Sequence, residues 1–168
     1  LFSQNIGVQF DRNQGIIESI FIKQENIVFE LDSSNSNIKN IYFFSEDSLS
    51  ERFFYDPVYD FRPRRWVELH RGVRLYIDSY SSVDYAKNYS SNTFSGIVGS
   101  VTKVDDIDIE YHMRIGENRV IGIVGKLKSI NDIDISYHKN YSENKRGGYM
   151  GKIESIGDFK FEFHNRHT

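Results

Sequence analysis

Apolar and polar residues alternate with a period of two along much of this chain, most plainly in its second half. Ile107, Ile109, Tyr111, Met113 and Ile115 are separated by Asp108, Glu110, His112 and Arg114. The same spacing returns in Ile133, Ile135 and Tyr137, and again in Phe159, Phe161 and Phe163. A period of two sends the apolar side chains to one face of a strand and the polar ones to the other. A helix would need apolar residues three and four apart, and these runs lack them. The pattern predicts that Ile109, Ile135 and Phe161 are buried while Glu110, Ser136 and Glu162 face the other way.

These runs belong to a repeat of 26 residues. Residues 96–112 are answered by 122–138 and again by 148–164, and positions 96–119 agree with 122–145 at 12 of 24 places. The turn-forming clusters Val104-Asp-Asp, Gly116-Glu-Asn, Ile130-Asn-Asp and Gly157-Asp interrupt the alternation too often for a crossover helix to fit between strands. Successive strands therefore pair antiparallel, one hairpin per copy. The clear copies are 96–121, 122–147 and 148–168. The recurrence of Lys87-Asn-Tyr-Ser as Lys139-Asn-Tyr-Ser implies a degenerate copy over about 70–95. The Gly-x-x-Gly that heads each copy is expected to mark a bulge or a close backbone approach.

The first half alternates as well, at Ile6, Val8 and Phe10, at Ile27, Phe29 and Leu31, and over 38–44. Residues 46–51 are the one short helix or loop excursion that the pattern suggests. Pro57 and Pro63 cannot donate to a ladder, which makes the stretch around them an edge strand or a long loop. The expected fold is a single all-β domain over 1–168. It is an antiparallel meander of about ten to twelve strands, closed into a barrel or folded as a two-layer sandwich, since an open meander would expose long edges.

Composition narrows the function. The formal charge of −3 argues against a general polyanion binder, and no nucleic-acid partner is expected. The absence of cysteine removes disulfide scaffolds and thiolate metal sites. No apolar run approaches the roughly 20 residues that span a bilayer. The chain opens on Leu1, which suggests a processed product or an excised domain. Asn88-Tyr-Ser and Asn140-Tyr-Ser are formal glycosylation sequons, which favour secretion or the cell surface over the cytoplasm.

Candidate chemistry is sparse. His112, His138 and His164 share one repeat position, but copies separated by an intervening strand lie roughly 9–10 Å apart, too far to share one zinc ion. They read as solvated residues of the polar face. So do Asp106, Asp108, Glu110, Asp132, Asp134 and Glu162. No phosphate loop, nucleophile elbow or zinc-protease motif is present in the sequence, and no cofactor or metal is expected. The strongest binding candidate is the segment 55–74, where Arg62, Arg64, Arg65, Arg71 and Arg74 stand among Tyr55, Tyr59 and Trp66. Arginine mixed with Trp and Tyr is the composition of interface hot spots and sugar-stacking platforms. The expectation is a non-enzymatic recognition module, lectin-like or surface-binding, with a carbohydrate or protein partner. The alternatives are a toxin-neutralising immunity protein or inhibitor that offers its acidic face, and a β-barrel for a small apolar ligand.

Overall fold

The computed structural model describes residues 6–11, 16–34, 36–43, 66–76 and 82–162. Among the described residues the chain is mostly β, with 13 strands in two sheets, and it divides into two compact units, Leu1–Ser82 and Val83–Thr168. Neither sheet closes on itself among the described residues, because each has a linear strand order.

The first unit holds a six-stranded sheet of order β1-β2-β3-β4-β6-β5. Its strands are β1 (Ile6–Phe10), β2 (Ile17–Gln24), β3 (Ile27–Asp32), β4 (Ile38–Phe43), β5 (Trp66–Glu68) and β6 (Arg74–Tyr76). The first four form the expected meander. The chain then departs from it, since β6 runs parallel to β4, with Asn40 beside Arg74 and Ile41 beside Leu75. Strand β5 pairs antiparallel with β6 on the outside. Ile20, Ile22, Phe29, Leu31, Ile41 and Leu75 are almost wholly buried and share one face through the register of their strands. The excursion at 46–51 and the proline stretch up to 65 lie outside the described residues.

The second unit is a seven-stranded antiparallel meander, ordered β7 to β13. It comprises β7 (Val83–Tyr85), β8 (Val101–Val104), β9 (Ile107–Tyr111), β10 (Leu127–Ile130), β11 (Ile133–Tyr137), β12 (Ile153–Ile156) and β13 (Phe159–Lys160). Strands β9, β11 and β13 are each separated from the next by one strand, as the repeat predicts. Ile109, Ile135 and Phe161 are buried at 3, 3 and 8 % exposure. Glu110 and Glu162 are exposed, and Ser136 is half-buried on the opposite face.

The first strand of each copy breaks the alternation in the same way. Its inward residues are three apart, at Val101 and Val104, Leu127 and Ile130, Ile153 and Ile156. The register shifts between each pair, leaving Thr102, Lys128 and Glu154 as the extra residues of three equivalent bulges. A spacing that resembles a helical stripe is thus a bulged strand.

Two connections join hairpin to hairpin, and a third leads from β7 into the first of them; all three contain a helical turn that the alternation did not announce. These are α1 (Ser90–Ser95), α2 (Asn118–Ile121) and α3 (Ser142–Gly147). Each ends on a glycine in the left-handed conformation, Gly96, Gly122 or Gly148. Inside each connection an asparagine amide donates 2.9 Å to the carbonyl five residues earlier: Asn92 to Lys87, Asn118 to Met113, Asn144 to Lys139. The second glycine of each Gly-x-x-Gly then turns back onto the sheet at positive φ. A methyl group on Gly125 would sit 2.7 Å from the Ser95 carbonyl oxygen, and one on Gly151 would sit 2.8 Å from that of Ile121. The glycines therefore mark the close backbone approach expected of them.

Substituting these glycines separates strain from collision. Gly148→Ala meets no atom within 4 Å and should lose only the left-handed penalty, about 1–2 kcal/mol. Gly151→Ala carries a similar φ and also collides with the Ile121 carbonyl, so its loss in urea denaturation should be clearly larger. Equal losses would show that the close approach does not hold the repeats together.

Candidate functional site

Of the arginine- and aromatic-rich segment, Tyr55, Tyr59, Arg62, Arg64 and Arg65 lie outside the described residues. Trp66 opens β5, in register with Tyr76 on β6. Arg74 is exposed on β6, flanked in register by Asn40 and Glu68. Arg71 is exposed in a 3-10 turn, His70–Gly72, where its φ of 64° places a long side chain in the left-handed region. The fold thus places Trp66 on the edge strand β5 and Arg74 on its neighbour β6, and sets Arg71 in the turn joining them.

The face of the first sheet that carries Arg74 and Tyr76 has a buried carboxylate at its centre. Glu30 on β3 accepts hydrogen bonds from Ser19 Oγ at 2.7 Å, Asn40 Nδ2 at 2.6 Å and Tyr42 OH at 2.5 Å, with Lys39 Nζ at 3.2 Å. Burial alone would raise its pKa. The three hydrogen bonds and the Lys39 charge outweigh that and hold the carboxyl below its ordinary value. The Tyr42 phenol is pushed up strongly, first by burial and then by the carboxylate it donates to. Tyr42 in turn stacks on Tyr76, with centroids 4.9 Å apart and planes 12° from parallel. Both Glu30 oxygens are engaged within the fold, so the carboxylate positions the Tyr42–Tyr76 pair and is not itself open to a ligand. Alternation hid this cluster, because Glu30 stands where a polar residue belongs.

In the second unit the carboxylates lie where the pattern put them. Asp106, Asp108, Glu110, Asp132, Asp134 and Glu162 are all exposed. Lys128 reaches Glu110 at 2.6 Å and Lys103 reaches Asp108 at 3.3 Å. A shallow open groove of about 440 Å³ runs between Asp108, Glu110, Ser129, Asn131 and Asp132.

The histidines correct the reading of a solvated row. His112 and His138 are half-buried, and their Nε2 atoms are shut off from solvent. The reason is that β9 and β11 end one residue earlier, so the histidines begin the connections and no longer follow the alternation. There His112 packs edge-on against Tyr137 of the next copy at 5.5 Å, and the His138 ring lies tilted against Tyr149 at 6.0 Å. Burial holds the His112 pKa below its ordinary value. His164 lies outside the described residues.

The charges of the second unit separate between its two ends. The hairpin tips carry Asp105, Asp106, Asp132 and Asp158. The helical connections at the opposite end expose Lys87, Arg114, Arg119, Lys139, Lys145 and Arg146, and with them the acidic Glu117; Glu143 belongs to α3. The same end exposes Tyr89 at 60 %, Phe94 at 66 %, Ile115 at 68 %, Val120 at 58 % and Tyr141 at 62 %. Tyr89, Ile115 and Tyr141 occupy one repeat position, and Phe94 and Val120 another. They form rows whose members are two strand spacings apart, roughly 9–10 Å. Sequence reasoning missed this end because it read the connections as plain turns. The signal was there in apolar residues that recur every 26 positions without matching the strand alternation.

Compared with known proteins, the chain matches no family model, no curated protein and no solved structure.

Acid should weaken the fold in two steps. The unfolded chain protonates His112 near 6.5 and the native chain only at lower pH, so stability held above 6.5 falls as pH drops through the folded pKa. Glu30 acts likewise below 4.5. Chemical denaturation across pH should show the first step vanish in His112→Asn and the second in Glu30→Gln. Persistence of both in the variants would remove these residues as the cause.

Proposed function

We propose that this chain is a non-enzymatic recognition module, and that the helical-connection end of its second unit is the contact surface. The observation that supports this reading is the repeated display of large apolar side chains on a basic edge, at equivalent positions of successive copies. Scattered exposed apolar residues are ordinary, whereas a concentration rimmed by charge marks an interaction site. Repetition multiplies a weak contact, as linked binding elements do.

The acidic hairpin tips favour a second reading, a neutralising protein whose partner is basic. The lectin-like form of the first reading draws on Trp66 of the edge strand β5, Arg74 of the neighbouring β6 and Arg71 of the turn between them. An apolar-ligand barrel draws no support from sheets that stay open among the described residues.

Binding should be measured to four probe classes: soluble glycans, lipid vesicles, basic proteins and acidic proteins. A triple variant, Tyr89→Ser with Phe94→Ser and Tyr141→Ser, should keep its melting temperature, because exposed changes usually stay within about 0.5 kcal/mol. It should bind the productive probe at least about tenfold more weakly. Unchanged binding by the triple variant, or no binding by the native chain, would overturn the reading. Loss of a basic protein in Asp106→Asn with Asp132→Asn would establish the second one instead.

A further inference from the structure

We propose that the helical-connection end of the second unit docks on an anionic lipid surface. This deepens the recognition reading and rests on it. The shape of the apolar display supplies the first part of this recognition. Tyr89, Ile115 and Tyr141 stand on three successive connections, and Phe94 and Val120 stand beside them on two. A protein partner recognises a contiguous patch with packed, complementary relief. These side chains instead protrude in rows with gaps of roughly two strand spacings. A bilayer interface is fluid and fills such gaps. Tyrosine suits that boundary, with an apolar ring and a polar tip.

Charge supplies the second part. The basic groups sit on the same connections as the apolar ones, where anionic headgroups would meet them; each such group near the surface strengthens attachment roughly fivefold. The acidic tips lie at the far ends of the same strands. A negative surface therefore attracts one end of this unit and repels the other, which fixes its orientation even though the whole chain is negative, at −3. Among the described residues no helix is long and apolar enough to cross a membrane, so the contact is one of lying on the surface.

The test uses the full chain and sedimentation with two kinds of vesicle, phosphatidylcholine alone and phosphatidylcholine mixed with phosphatidylserine. The native chain should bind the mixed vesicles and leave the neutral ones, and added salt should weaken the attachment. Lys145→Glu with Arg146→Glu should reduce binding by more than about tenfold. Phe94→Ser with Tyr141→Ser should reduce it also at low salt, where charge alone is strongest. A Phe94→Trp variant should gain a blue-shifted emission component on the mixed vesicles as the indole leaves water. Binding that ignores lipid charge, absence of binding, or retention in both double variants would overturn the proposal. If vesicles fail while an acidic protein probe is lost in the triple variant, the recognition reading stands and the lipid inference falls.

Discussion

The second unit depends on a contact that leaves no room for a side chain. In the second and third clear copies the second glycine lies against a carbonyl from the helical turn of the preceding connection, Gly125 on Ser95 of α1 and Gly151 on Ile121 of α2. Backbone polar groups at such a junction must find partners or suffer the cost of burial. Here they do. The residue just after each of β7, β9 and β11 exchanges two hydrogen bonds with the second glycine of the next Gly-x-x-Gly and the residue after it, at Ala86 with Gly99 and Ser100, at His112 with Gly125 and Lys126, and at His138 with Gly151 and Lys152. The side chain at that position differs between copies while the bonds do not. The backbone therefore carries the repeat, and this explains how histidine and alanine occupy the same place.

Around that junction the side chains that do recur are those that tie one element to the next. Tyr111 and Tyr137 donate to the carbonyls of Val101 and Leu127, each at 2.8 Å. Lys126 reaches the Gly151 carbonyl at 2.8 Å and passes over the Tyr137 ring, which ties neighbouring copies through a cation half-withdrawn from water. Burial lowers its pKa accordingly. The exposed ends of the sheet are under no such constraint. There the copies diverge in charge, with Thr93, Arg119 and Lys145 at one repeat position, and it is there that recognition is assigned.

How much of this was legible in the sequence follows from where each residue type reports on local geometry. Ile109, Ile135 and Phe161 were readable because a strand with one buried face writes a period of two. The hairpins were readable from their turns, since Asp105, Asn131 and Gly157 tolerate the positive φ that opens each two-residue loop. The helical turns were not, because six residues or fewer cannot establish a period of 3.6. The bulges at Thr102, Lys128 and Glu154 were not, since a bulge depends on the partner strand. Glu30 was invisible for a related reason: its burial comes from Ser19, Asn40 and Tyr42, which neighbouring strands bring to it. For the proposed binding segment, the sequence announced a composition, and the register of Trp66 with Tyr76 and of Arg74 with Asn40 gave part of it a place.

The parallel pairing of β4 with β6 has a consequence for the order in which the chain acquires structure. Among the described residues, every pairing of the second unit joins strands that follow one another in sequence, so each hairpin can form and then receive its neighbour as a template. In the first unit Asn40 must meet Arg74, 34 positions further on, before the six-stranded sheet is complete. Closing that separation costs chain entropy before any hydrogen bond is gained, and such non-local pairings are slow to form. The second unit thus has the topology of a rapid, sequential folder, and the first contains a late step. Until that step is taken, the apolar flank of β4, Ile41 and Phe43 among it, lacks its neighbour and is open to pairing with another chain.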